Sequence, residues 1–308
     1  MMQVQTEKAI FDVIIIGGSY AGLSAAMALG RSLREVLIID SGKPCNWQTP
    51  HSHNFLTRDG ETPANIAGIA KAQVLAYPTV TFLNGTVNSA SKTMDGFSVT
   101  CSDGQLFSGK KLILATGIKD IFPNIKGFAA CWGISVLHCP YCHGYEVAHK
   151  PTGIIANGEI GFEFAKLISN WTKDLTLFTN GPITLDPKDI EKLTRKNIQI
   201  SEKEIEEIIH ENGKVSRLQF KDGSSHKLAA IYARGSMEHN TEVIEALAIT
   251  LNDQGYINID NFKKTNVAGV FAAGDCTNMM RAISESVYAG NLAGVFANKE
   301  LIEEDFGK

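Results

Sequence analysis

An α/β architecture built from two βαβ modules follows from three features of the chain: a glycine turn at 17–22 between an apolar run and a helical pattern, a second turn of similar plan at 157–161, and an apolar strand that stops at Gly274-Asp275. Residues 11–16 are continuously apolar after Asp12 and rich in β-branched side chains, as in a strand buried on both faces. Gly17-Gly18-Ser19-Tyr20-Ala21-Gly22 then makes the tight turn, and 23–29 follow a helical pattern. Such a turn lets backbone approach a pyrophosphate at a helix N-terminus, where unpaired N–H groups favour negative charge. Ser19 stands where the fingerprint has its second glycine. A second apolar run, 36–39, ends in Asp40, 23 residues beyond Gly17 and close to the ~20 expected of the acid that holds a ribose. Strand context and acid together turn a weak glycine motif into a dinucleotide-binding one.

The remaining elements follow in order. Residues 41–61 are polar and irregular and carry His51, His53 and Arg58, before Thr62-Pro63 opens a helix. Between 79 and 116, short alternating runs broken by Asp95-Gly96 and Asp103-Gly104 predict hairpins returning to a strand at 111–115, ended by Thr116-Gly117. A strand at 152–156, the turn Asn157-Gly158-Glu159-Ile160-Gly161, a helix through Ile168 and a strand at 174–179 repeat the first unit's plan. Asn212-Gly213 and Asp222-Gly223 mark a β-meander between about 204 and 233. Helix is expected at 242–248, strand at 270–273, and a helix rich in small residues at 282–298.

With 308 residues the chain has room for two domains. Lys and Arg number 29 against 33 Asp and Glu, a net charge of -4 that offers no electrostatic footprint for nucleic acid. The start, 1–10, is polar without an apolar export region, and the apolar runs are strand-length, so no membrane partner and a cytoplasmic location are expected. Among six cysteines, Cys139-Pro140-Tyr141-Cys142 points to redox chemistry or metal. His138, Cys139, Cys142 and His143 could bind zinc, yet no second pair completes a site; Cys142-His143 also completes the C-x-x-C-H haem signature, which requires export. No metal is expected. His143, next to the pair, is either a surface histidine or the group that takes and returns a thiol proton near neutral pH. His51 and His53 either contact a cofactor or cap loop turns, and Cys45, Cys101, Cys131 and Cys276 are expected as buried small apolar residues.

Residues 12–26, 112–117, the CxxC and 269–275 stand in the order and spacing of the low-molecular-weight thioredoxin reductases, FAD-dependent pyridine nucleotide-disulfide oxidoreductases, and the chain resembles that family over nearly its whole length. The resemblance implies two Rossmann-like three-layer (ββα) dinucleotide-binding domains, one inserted in the other: an FAD-binding domain at 1–118 plus 245–308, and an NAD(P)-binding-like domain at 119–244 carrying the CxxC. It implies FAD contacts at Gly17, Gly18, Ser19, Tyr20, Ala21, Gly22, Asp40, Thr116, Gly117, Gly274 and Asp275, with Arg281, Ala282 and Ile283 near the flavin and His53 a further candidate. It also implies a homodimer, with Cys139 exchanging with substrate and Cys142 facing the flavin.

Two departures bear on function. The segment Cys139-Pro140-Tyr141-Cys142-His143-Gly144-Tyr145-Glu146 resembles the dithiol oxidases of the gliotoxin and holomycin type. The inner turn has Ala156 where its first glycine belongs, and the next strand ends in Phe178-Thr179-Asn180-Gly181 without the arginines that clamp a 2′-phosphate. Arg195 and Lys196 lie on a later helix and belong to a solvated face. The expectation is a thiol-disulfide oxidoreductase that cycles its CxxC against FAD, oxidising a dithiol at the expense of oxygen. The alternatives are an NADPH-dependent thioredoxin-disulfide reductase and a non-catalytic flavin-binding redox sensor. The substrate is a dithiol or disulfide, either a small molecule or a thioredoxin-like protein.

Overall fold

The computed structural model describes residues 10–239 and 242–307; the polar stretch 1–9 lies outside them. Strand β1 (Ile10–Ile16) runs into helix α1 (Tyr20–Arg31) and returns as β2 (Val36–Asp40), completing a βαβ unit. Helix α2 (Pro63–Val74) starts at a proline, whose missing N–H is no loss in a first turn, and leads to β3 (Val80–Asn84). Strands β4 (Val87–Thr93), β5 (Gly96–Cys101) and β6 (Leu106–Leu114) form an antiparallel meander. Strand β7 (Ile118–Ile121) follows.

The next elements are α3 (Phe128–Cys131), β8 (Val136–Leu137), α4 (Pro140–His143), β9 (Thr152–Ile155), α5 (Gly158–Ile168), β10 (Leu175–Phe178), α6 (Pro187–Arg195) and β11 (Gln199–Ser201). Three antiparallel strands, β12 (Ile205–Glu211), β13 (Lys214–Phe220) and β14 (Ser225–Lys227), precede β15 (Ala230–Ala233) and β16 (Ser236–His239). The chain ends with α7 (Val243–Ala246), β17 (Val270–Ala272) and α8 (Ile283–Phe306).

By the density of internal contacts the chain divides into two units, one of Met1–Cys45, Ala64–Lys119 and Glu238–Lys308, the other of Asn46–Pro63 and Asp120–Met237. In the first, the sheet order is β3-β2-β1-β6-β5-β4, and β17 also pairs with β6. Its parallel strands are in register with Val13 opposite Val36 and Leu112 opposite both Ile14 and Val270. Side chains alternate across a strand. Val13, Ile15, Val36, Ile38 and Ile113 therefore pack with Leu23, Ala26 and Leu29 of α1, while Ile14, Ile16, Leu37, Leu112 and Leu114 pack with Ala90, Phe97 and Val99 of the meander. Cover on both faces is why these runs are apolar throughout.

The second unit repeats the plan. Its parallel sheet is ordered β11-β10-β9-β15-β8 and its three-stranded antiparallel sheet β12-β13-β14. Leu137, Ile154, Leu177 and Tyr232 pack with Ala165 and Ile168 of α5, and Val136, Phe178 and Ile231 with Ile208, Leu218 and Phe220. Both units are thus three-layer ββα domains, and the first is interrupted by the second.

Two expectations change. Residues 230–233 are not part of the meander: β15 lies between β9 and β8, with Ala230 opposite Thr152, because its four buried residues need cover on both faces. Helix α8 continues past 298 to Phe306, its added turns anchored by buried Lys111, which bonds Glu300 at 3.0 Å and Glu304 as well. Among the described residues no helix is long and apolar enough to cross a membrane.

Candidate active site

Cys139 and Cys142 are joined by a disulfide across α4, with Cα atoms 5.3 Å apart. Pro140 opens the helix, its fixed φ suited to a first turn, and Cys139 is the N-cap. The Cys142 N–H donates to Cys139 Sγ at 3.2 Å. When the disulfide opens, that donor favours thiolate at Cys139. Among the described residues no group of three His, Cys, Asp or Glu is placed to hold a metal ion.

A cleft of about 300 Å³ opens beside Cys142, its walls including His53, Asp59, Tyr141, Glu146 and Trp171. Tyr141 stands edge-on to Trp171 with ring centroids 5.5 Å apart, making one wall aromatic. His143 closes α4 and meets His53 edge-on at 6.4 Å between centroids. Burial pushes the His143 imidazole below its ordinary pKa, Glu146 partly opposes this, and His53 adds to it. His143 is therefore neutral at neutral pH, the form that accepts a proton. His51 Nδ1 lies 2.9 Å from the Gly60 carbonyl, a turn-capping contact, and His138 stacks on Trp132 at 5.6 Å.

The other sequence candidates lie in the first unit, apart from His53. Gly17 has φ +103°, and a Cβ there would come within 2.2 Å of the Ala115 carbonyl oxygen; one on Gly22 would come within 1.9 Å of the Gly17 oxygen. Only glycine lets strand, turn and helix close this tightly. Ser19 is the N-cap of α1 but makes no side-chain capping bond. Tyr20 and Ala21 are buried in the first turn of α1. Asp40, at the end of β2, accepts from Gly18 N at 2.9 Å and Gly42 N at 3.1 Å, which fixes the carboxylate and leaves lone pairs for two hydroxyls. Thr116 and Gly117 follow β6, and Gly117 takes φ +61°. Gly274, with φ +84°, and Asp275 follow β17; Arg281 Nε lies 3.7 Å from Asp275 Oδ2. Ala282 caps α8 and Ile283 starts it. A glycine cradle, a helix N-terminus without a side-chain cap and an oriented acid fit the pyrophosphate and ribose of a dinucleotide.

The inner turn does not fit one. Asn157 caps α5 with its own side chain: Oδ1 accepts from Gly158 N at 2.8 Å and from Thr184 N and Oγ1 at 3.0 and 3.2 Å, while Nδ2 donates to Pro182 O at 2.8 Å. The first N–H of α5, one of those a phosphate would use on an uncapped helix, is thus taken by an amide tied to the next loop. Beyond β10, Thr179 Oγ1 donates to Gly181 O at 2.6 Å, and Glu202 Oε2 accepts from Ile183 N at 2.8 Å, placing a carboxylate in the neighbourhood where a 2′-phosphate needs cations. Arg195 is spent on Glu191, four residues earlier on exposed α6.

Cys101, Cys131 and Cys276 are buried as expected, but Cys45 is exposed, its Sγ 3.5 Å from Asp275 Oδ2. It lies in an irregular polar segment with no strand or helix to turn it inward. Asp59, Glu146 and Trp171 in the cleft wall escaped sequence reasoning; Glu146, four residues after Cys142, is the one that a local pattern could have flagged.

The family model described as pyridine nucleotide-disulphide oxidoreductase matches residues 11–290. Thioredoxin reductase tcpT of Claviceps purpurea is 31% identical over 306 residues, covering 96% of this chain and 95% of that protein. The crystal structure of a thioredoxin reductase TrxB from Bacillus anthracis superposes with a TM-score of 0.92 at 30% identity, covering 96% of this chain and 99% of that one. The structure of HlmI gives a TM-score of 0.92 at 29% identity, covering 97% and 94%. The chain therefore belongs to the pyridine nucleotide-disulphide oxidoreductase family, as an FAD-dependent thiol-disulfide oxidoreductase of the thioredoxin reductase type.

Proposed function

We propose that the protein is a dithiol oxidase that converts a dithiol and oxygen into a disulfide and hydrogen peroxide. The observation that carries this reading is the self-capped N-terminus of α5, where the Asn157 side chain takes the Gly158 N–H, whereas Ser19 leaves α1 without a side-chain cap. An intact outer site and an altered inner one favour a flavoprotein whose electrons leave by a route other than NADPH. FAD, when bound, supplies an isoalloxazine that accepts and gives up an electron pair. Gly17, Gly18, Ser19, Tyr20, Ala21 and Gly22 would hold its pyrophosphate, Asp40 its ribose, and Thr116, Gly117, Gly274, Asp275, Arg281, Ala282 and Ile283 its remaining length. We assign this role to the discontinuous domain at 1–118 and 245–308, and the disulfide to that at 119–244.

The chain's own part is thiol exchange. Neutral His143 takes the proton of the first substrate thiol, and the thiolate attacks Cys139, forming a mixed disulfide as the Cys139–Cys142 bond breaks and Cys142 leaves as thiolate. The second substrate thiolate then attacks the first substrate sulfur, releasing Cys139 as a thiolate that the Cys142 N–H stabilises. The substrate loses two electrons and the enzyme disulfide gains them. Oxygen uptake with stoichiometric peroxide on adding a small dithiol, and an unbleached flavin with micromolar NADPH under anaerobic conditions, is the expected result. Rapid bleaching by NADPH followed by thioredoxin reduction would establish the reductase reading, which the names of the relatives favour.

The protein is also inferred to be a homodimer working in the cytoplasm. Exposed Tyr288, Val295 and Ile302 recur every seven residues along α8, an apolar stripe suited to a second copy. Four cysteines outside the disulfide suit a reducing compartment. Sedimentation of the wild type and of Val295→Asp tests the first point; a monomeric wild type refutes it.

A further inference from the structure

Oxidising a dithiol releases two protons in quick succession, and His143 can hold only one of them. The cleft beside Cys142 contains a second imidazole. His53 Nδ1 lies 3.6 Å from Asp59 Oδ1, and its Nε2 lies 3.5 Å from Glu146 Oε1. A carboxylate thus faces each ring nitrogen and holds the ring in place at the cleft wall. The other titratable groups facing the ring are His143, edge-on at 6.4 Å between centroids, and His51 at 6.5 Å. Asp59 is itself anchored, accepting the Asn54 N–H at 2.7 Å. The two histidines therefore differ in kind: burial disfavours charge on His143, whereas His53 is only partly buried and sits between two acids.

We propose that His53 is a catalytic base for the second half of dithiol oxidation, taking the proton of the second substrate thiol while His143 still holds the first. The proposal rests on the dithiol-oxidase reading and deepens it. When the mixed disulfide stands on Cys139, the second thiol loses its proton to His53 and its sulfur bonds to the first substrate sulfur. The bond to Cys139 breaks and Cys139 leaves as thiolate. The enzyme then holds two thiolates and two imidazolium ions, so the pair of protons and the pair of electrons are both accounted for. A base matched to the second thiol also makes the cleft selective for dithiols over monothiols, which stop at the mixed disulfide.

The test is a rapid anaerobic mix of the oxidised protein with dithiothreitol, acid quench and mass spectrometry, comparing wild type with His53→Gln. In the wild type little adduct is expected, because release is fast. In His53→Gln the adduct forms at an unchanged rate, accumulates, and releases oxidised dithiothreitol about tenfold or more slowly, with added imidazole restoring release. His53→Asn, a different side chain in the same place, is expected to behave alike. Adduct formation slowed as much as release, absence of imidazole rescue, or wild-type release kinetics in both variants overturns the proposal. Flavin loss with normal exchange kinetics would return His53 to a cofactor-binding role. Fast release of oxidised dithiothreitol by the wild type with no oxygen uptake afterwards refutes the oxidase reading while leaving the two-base exchange standing; no reaction of the wild type with any dithiol overturns both.

Discussion

Replacing Asn157 by Gly removes a side chain with four hydrogen bonds, to Gly158 N, Thr184 N, Thr184 Oγ1 and Pro182 O. The cap itself costs only a few tenths of a kcal/mol when Gly replaces Asn. The ties to the 182–184 loop are partly exposed neutral bonds, so the total loss is about 1–2 kcal/mol. In a chain of this size that lowers Tm by roughly 2–6 °C. The nucleotide readout is more telling. Opening the turn restores a place for a pyrophosphate but no clamp for a 2′-phosphate, and two missing arginine contacts at about 1.5–3 kcal/mol each leave NADPH weaker by about 3–6 kcal/mol. NADH, which lacks that phosphate, avoids the deficit and the Glu202 carboxylate. Under anaerobic conditions the expected order is no bleaching of wild type by either nucleotide, and slow bleaching of Asn157→Gly by excess NADH before NADPH. Wild-type bleaching by micromolar NADPH, or a variant with unchanged Tm, would refute the reasoning.

Three further outcomes follow from the site. Cys142→Ser should capture an added small disulfide as a mixed disulfide at Cys139, the Cys139 thiolate displacing one of its two thiols; because Cys142 borders the cleft, peptide mapping must also examine Cys139→Ser, and an adduct that forms only there reverses the order of the sulfurs. His143→Gln should slow enzyme reduction about a hundredfold. Because burial lowers the wild-type His143 pKa from 6.5, the acid limb of its rate lies below that value, and a limb above it contradicts the burial argument. The same shift makes the unfolded chain bind more protons, so stability falls as pH drops below 6.5. With the disulfide intact, iodoacetamide at pH 8 should label exposed Cys45 quickly and leave Cys276, whose thiol burial pushes up to about 12, unmodified. Labelling of Cys276 in the folded protein at a comparable rate would contradict its burial.

Local sequence determined the elements whose information lies within a few residues. The β-branched runs of β1 and β2, the Gly17 turn and the 23-residue step to Asp40 specify a βαβ unit because strand, turn and helix periodicities are short-range. The CxxC and the adjoining His143 were equally legible, since one turn of α4 brings the two sulfurs together whatever surrounds them. Where several layers compete for one segment, local pattern failed: the all-buried β15 offers no alternation to show which sheet it joins, and the end of α8 depends on Lys111, distant in the chain. Only tertiary structure brought His53 and Asp59 from the 46–63 loop against His143 and Glu146, and tied Asn157 to Thr184 across an intervening helix and strand. Those contacts depend on how loops close over a packed sheet, and neither residue spacing nor hydrophobic period carries that information.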